Sequence, residues 1–193
     1  MASYAVIGGG IGSVFASALR SMIDRGQLPL LDVYTFIDFD SVEPDNLLHQ
    51  NFKEEDLGKN KAGVLAKRYG FKFKEEKITK ERQLEPYDKI IICADNTVVR
   101  ELCYRHCTRK KKFFLDLRCS GRINAYLVHK KQKLRDLIKT LPSRTESGSC
   151  QIEQRLENRQ IDVSNHIVAW KGIQILLNLS RGIDVDDYAT ENV

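Results

Sequence analysis

The sequence predicts a single α/β domain over residues 1–193, built on a Rossmann-like, mostly parallel sheet with helices on both faces. Three observations predict it. A short apolar run, "SYAVIG", leads through glycines straight into an amphipathic stretch. Strand-like and helix-like segments then alternate, the pattern that builds a parallel sheet through right-handed crossovers. One run, "DKIIICA", is apolar throughout, as a central parallel strand buried on both faces should be.

Each element has its own local reason. After the first strand, "GSVFASALRSMIDRG" is a helix stopped at Gly26, because glycine takes up the left-handed conformation that ends helices. "DVYTFID" is the second strand, "NKAGVLAKRYG" a helix closed by Gly70, and the alternating "FKFKEEK" an edge strand. The central strand is followed by a helix over "NTVVRELCYRHCTR" and by strands "KKFFLDLR" and "RINAYLV". Residues 129–163 are polar and predict a mobile or crossover segment. The last helix, "SNHIVAWKGIQILLNLSRG", has Ser164 in the N-cap position and Gly182 just past its end. Its Ile167, Val168, Ile173, Ile175, Leu176 and Leu179 form a broad apolar surface. The acidic residues from Asp184 onward predict a frayed tail over 184–193.

Composition narrows the classes of function. At 193 residues and 42% hydrophobic, the chain suits one sizeable core. No apolar run approaches the ~18 residues of a membrane span, and the first residues lack a leader pattern, so a cytoplasmic protein is expected. Five cysteines without C-x-x-C pairs point to reduced thiols and no zinc site. Cys103, His106 and Cys107 share a helix, where such spacing is more often packing than a ligand set. The net charge of +5 owes much to "RHCTRKKK" at a helix end, where cations complement the helix dipole. No aromatic ladder accompanies it, so a nucleic-acid partner is not expected.

Chemistry concentrates in the first hundred residues. In "GGGIGS", Gly8, Gly10 and Gly12 fit a tight turn around Ile11 between strand and helix, where free N–H groups and the helix dipole favour a phosphate. Asp38 ends the second strand, where a carboxylate can accept both hydroxyls of a ribose. That suits NAD or ATP equally. The residues after it, "DSVEPDNLLHQNF", add a second acid, Asp40, then Asn46, His49 and Gln50.

Taken with "DLGKNKA" and "CADN", this linked set resembles the ThiF/MoeB family of adenylating enzymes, whose fold also forms the catalytic domain of ubiquitin-activating enzymes. The matching motifs span residues 4–105, and the final helix is similar to the family's last core helix. The resemblance implies that Asp38 binds ribose, with Asp40 completing the Asp-x-Asp pattern, while Asn46 and Gln50 shape the triphosphate pocket. It implies that Lys61 neutralises charge developing on the phosphates. It also implies that Asp95, followed by Asn96, holds Mg²⁺, a hard ion that takes oxygen ligands. ATP and Mg²⁺ would then serve to activate a carboxylate, the C-terminal glycine of a ubiquitin-like or sulfur-carrier protein, by a homodimer. Blander roles stand beside these: loop hydrogen bonding for Asn46 and Gln50, a solvated helix-start lysine for Lys61, and a helix cap for Asp95.

The chain also departs from the family. His49 stands where relatives usually have arginine, and an imidazole lacks the charge and planar fork of a guanidinium. The chain opens a few residues before its first strand, so the preceding helix through which many relatives donate an arginine is not expected; Arg20, Arg100 or a basic residue of the 129–163 segment could compensate. Cys150, before the last helix, occupies the region where some relatives form a thioester, with Cys119 a weaker candidate. The chain therefore reads as a short, divergent member. Two other functions stay open: a relative that binds nucleotide or a partner without chemistry, and an NAD(P)-dependent oxidoreductase.

Overall fold

The computed structural model describes residues 1–120, 123–129, 132–141 and 163–192. Seven strands form one sheet: β1 (Ser3–Ile7), β2 (Val33–Ile37), β3 (Lys72–Lys74), β4 (Lys89–Ile92), β5 (Phe113–Ser120), β6 (Ile123–Val128) and β7 (Tyr188–Asn192). Their order is β3-β2-β1-β4-β5-β6-β7. β3, β2, β1, β4 and β5 run parallel, as the alternation with helices predicts. β6 and β7 add antiparallel pairs, a direction that the apolar run of β6 did not reveal.

The helices are α1 (Gly10–Asp24), α2 (Asn46–His49), α3 (Lys61–Tyr69), α4 (Thr97–Lys110), α5 (Leu134–Lys139) and α6 (Ser164–Ser180). Side chains of successive strand residues point to opposite faces, so each buried strand feeds two cores. Val6, Ile91 and Leu115 pack beneath α1, α3 and α6, while Ala5, Ile90 and Phe114 pack beneath α4 and α5. Gly26, Gly70 and Gly182 all have positive φ at helix ends, as expected.

Three expectations need correction. Ser164 lies inside the first turn of α6, whose cap is the exposed Val163, and its side chain is turned into the core, fully buried. The acidic tail is not frayed: β7 pairs with β6 from Tyr188 to Asn192, completing that edge of the sheet. The apolar surface of the last helix packs within the chain, with Val168, Ile173, Ile175 and Leu176 buried against α1 and the sheet. Part of the polar segment is also ordered. Leu137 of α5 is buried, and Arg118 Nη1 donates to the Thr140 carbonyl at 2.5 Å.

Candidate functional site

The strand order fixes where a ligand can sit. From β1 the chain proceeds to β2 and β3 on one side, then crosses to β4 and β5 on the other, leaving a crevice outside the carboxyl ends of β1 and β4. An open cleft occupies it, lined by residues 8–10 and 38–40 together with His49, Gln50, Lys61, Asp95 and Asn96.

Two glycines make the approach possible. Gly8 has φ +100, and a Cβ on it would stand 2.6 Å from the Ala94 backbone nitrogen, so the chain leaving β4 can pass only a glycine. A Cβ on Gly9 would be 2.8 Å from both Asp38 Oδ2 and Lys61 Cβ. The sequence reading named Gly8, Gly10 and Gly12 and missed Gly9. A Cβ on Gly12 would meet nothing closer than 3.9 Å, and the Ile11 side chain is buried in the core.

Asp38 is held by the backbone. The Gly9 N–H donates to Oδ2, and the Asp40 N–H donates to Oδ1 at 2.9 Å. Burial raises its pKa, the two N–H groups and Lys61 oppose that rise, and the neighbouring Asp40 adds to it. Lys61 is brought beside it by Asn60, a residue the sequence reading passed over although an asparagine before an apolar-periodic run is an N-cap signal. Asn60 Oδ1 accepts the Gly63 N–H at 2.9 Å, capping α3, while its Nδ2 donates to the carbonyls of Asp38 and Asp40 at 3.0 and 3.3 Å. The Lys61 N–H donates to the Asp40 carbonyl at 2.9 Å. The start of α3 is thus fastened to the Asp-Phe-Asp loop, and the half-buried Lys61 side chain lies in the cleft.

Asp95 and Asn96 divide their work. Asn96 Oδ1 accepts the N–H groups of Val98 and Val99 at 2.9 and 3.2 Å, so it caps α4. Asp95 is exposed in the cleft and is not the helix cap. A magnesium ion fits such a carboxylate, since Mg²⁺ is usually held by one or two carboxylates together with substrate phosphates and water. The described residues offer no cluster of three acidic, histidine or cysteine side chains that would hold a metal alone.

The "NLLHQ" segment is only partly in the cleft. Asn46 is buried and absent from the lining; its Oδ1 accepts the Glu43 N–H at 3.0 Å, so it satisfies the loop, the blander of its two expected roles. His49 and Gln50 do line the cleft, with His49 Nε2 and Gln50 Nε2 3.1 Å apart. Burial lowers the His49 pKa, opposed by the Asp45 backbone and reinforced by Lys61, so the imidazole is neutral near pH 7.

Neither arginine offered as compensation reaches the cleft. Arg20 is paired with Asp24 on the surface of α1, and the buried Arg100 bonds to Asp116 at 3.2 Å. Cys150 lies outside the described residues. Cys103 and Cys107 are fully buried packing residues, and burial pushes the Cys107 thiol up to about 12. The basic helix end is largely engaged: Arg105 pairs with Glu101, Arg109 with Glu81, and Lys112 donates to the Glu85 and Tyr87 carbonyls.

Comparison with known proteins follows the same lines. The model of the ThiF family matches residues 2–191. Comparison with curated protein sequences gives no match. Among solved structures, Escherichia coli MccB with ATP is 16% identical with a TM-score of 0.66, covering 99% of this chain and 63% of that one. MccB with MccA-N7isoASN gives the same identity and score, covering 99% and 64%. PaaA is 18% identical with a TM-score of 0.70, covering 100% and 61%. The chain therefore spans less than two thirds of the length of these structures and shares their fold. No helix among the described residues is long and apolar enough to cross a membrane.

Proposed function

The chain belongs to the ThiF family, and on that premise we propose that it is an ATP-dependent adenylyltransferase that activates a carboxylate as an acyl-adenylate. The observation that carries this reading is the convergence of Asp38, Lys61, Asp95 and the glycine loop on one cleft. A ribose needs an acceptor, phosphates need cations and N–H donors, and a hard metal ion needs oxygen. The cleft lining offers each kind of group.

In this reading, Asp38 accepts the ribose hydroxyls, and the amino terminus of α1 presents its N–H groups to the phosphates. A carboxylate oxygen attacks the α-phosphorus, the bond to the bridging oxygen breaks, and pyrophosphate leaves with its electron pair. Two anions must approach each other, so Lys61 serves by lowering their repulsion as charge develops. Gln50 adds a neutral amide at the same place. Magnesium held by Asp95 and phosphate oxygens would neutralise further charge. The carboxylate would be the C-terminal glycine of a ubiquitin-like or sulfur-carrier protein, acting with a cytoplasmic homodimer; structures of MccB with ATP and with MccA support a nucleotide and a partner at this fold. The test is exchange of labelled pyrophosphate into ATP on addition of proteins ending in glycine. Exchange that requires both the terminal carboxylate and Lys61 supports the reading, and its absence with every such protein removes this substrate class.

One observation favours a second reading, a module that binds nucleotide or a partner without chemistry. His49 is uncharged where relatives carry arginine, and Arg20 and Arg100 are engaged elsewhere. Among the described residues, Lys61 and Lys77 would then be the cations lining the cleft. Nucleotide binding without turnover, unaffected by Asp95→Asn, would establish that module.

A further inference from the structure

Gln50 lies in the cleft where the chain leaves α2. It follows the last residue of α2 and leaves in an extended conformation, with φ −117 and ψ 162. A helix end leaves carbonyls without intrahelical donors, and a buried one must find a donor elsewhere. For the His49 carbonyl, that donor is Nδ2 of Asn165, from the first turn of α6 and 116 residues away in sequence. On the other side of Gln50, the Asn51 N–H donates to Ser13 Oγ of α1 at 2.9 Å. Asn165 and Ser13 are both buried, at 1% and 0% exposure. Gln50 is thus clamped at both neighbouring peptides by side chains from two helices that pack on each other.

The local contacts of Asn165 use its Oδ1, which also lies 2.8 Å from His166 Nδ1, and leave its Nδ2 for the His49 carbonyl. The cap of α6 is Val163, which makes no side-chain bond, and Asn165 Oδ1 accepts the N–H of the adjacent His166 at 2.9 Å. A buried amide is costly unless bonded, and this one completes its bonding on the peptide before Gln50. It lies outside the cleft lining, so it acts through its neighbour. Gln50 in turn lies over the start of α1, with its Nε2 3.7 Å from where a Cβ on Gly10 would stand.

We infer that Asn165 is a positioning residue for the cleft: its amide fixes the His49–Gln50 peptide and so holds the Gln50 side chain over the amino terminus of α1. The inference rests on the reading above for the identity of the ligand, and the test separates the two. In the ligand-free protein, the Gln50 side-chain amide is identified in nitrogen–proton spectra by its loss in Gln50→Glu. In Asn165→Leu that amide shifts and broadens. In titrations with ATP·Mg²⁺, Asn165→Leu weakens binding about tenfold, the effect of a Gln50 side chain in its binding position only about a tenth of the time. The double variant Gln50→Ala/Asn165→Leu then binds no more weakly than Gln50→Ala alone. If Asn165→Leu does not fold, Asn165→Asp keeps the shape, removes the donor and carries the same measurements. An unmoved Gln50 amide, with stability alone reduced, overturns the inference. If the unaltered protein does not bind ATP, the adenylylation reading fails while the amide spectrum still decides the role of Asn165.

Discussion

Two polar centres lie near the carboxyl ends of the strands, and they differ in whether the chain satisfies them. On β5, the fully buried Asp116 accepts from Arg100 at 3.2 Å, Arg118 at 2.7 Å and the Tyr104 hydroxyl. Arg118 spends its remaining donors on Thr140 and Tyr104. The centre is closed: every charge faces a partner from β5, α4 or the end of α5. In the cleft beside β1 and β2, Asp95 and Lys61 have side chains without an ion pair among the described residues, and Gln50 Oε1 is buried with no hydrogen bond. An unpaired buried amide oxygen is costly, whereas Asp95 is exposed and Lys61 half-buried, so water or a ligand can reach them. The closed centre therefore reads as structure, and the open one as a place prepared for a ligand.

That contrast can be broken from either side. The largest effect belongs to the closed centre: Asp116→Ala leaves two guanidiniums without their carboxylate and should cost about 3–5 kcal/mol in urea unfolding. Affinity for ATP in the protein that remains folded should be little changed. Lys61→Ala should do the reverse. Its stability should move by only about 0.5 kcal/mol, while calorimetric affinity for ATP·Mg²⁺ falls roughly 10–100-fold, the worth of a hydrogen bond to a charged group. Equal loss of stability in the two variants would erase the distinction.

The neighbours Asp95 and Asn96 sharpen it within two residues. Asn96→Ala removes the cap of α4 and should lower stability by about 1 kcal/mol. Asp95→Ala should leave the thermal midpoint almost unmoved and reduce the effect of magnesium on nucleotide binding.

The smallest effect is a dependence on pH. His106 is fully buried, and neither ring nitrogen forms a hydrogen bond. Burial lowers its pKa, Lys112 and Arg109 add to this, and Glu81 opposes it. The unfolded chain takes up a proton near about pH 6.5, the folded one only at lower pH, so stability is lost as pH falls below that value. His49 acts in the same direction. His106→Leu should flatten this slope in part between neutral and mildly acidic pH.

The fold was largely legible because its signals are local. Apolar strands, glycine stops and the Asn-led helices each carry their cause within a few residues, and α1, α3 and α4 fall where the pattern puts them. β7 was not legible, because "DYATEN" is polar and becomes a strand only by pairing with β6. At the site, Asp38, Gln50, Lys61 and Asp95 were found from the linked motifs, and they meet in one cleft. The resemblance offers Asn46 as a pocket residue with loop bonding as the blander role, and its bond to the Glu43 N–H is visible only in the structure. Gly9 matters through the Asp38 and Lys61 atoms that crowd it, and Asn165 through a carbonyl 116 residues away. No local spacing encodes such contacts.

The most direct measurement is calorimetric titration of the protein with ATP·Mg²⁺ and, separately, with NAD, repeated on Lys61→Ala and Asp95→Ala. The account predicts that ATP binds in preference to NAD and that both substitutions weaken it while the proteins stay folded. Absence of ATP binding, or binding indifferent to both residues, would contradict it and leave a partner-binding ThiF domain as the better description.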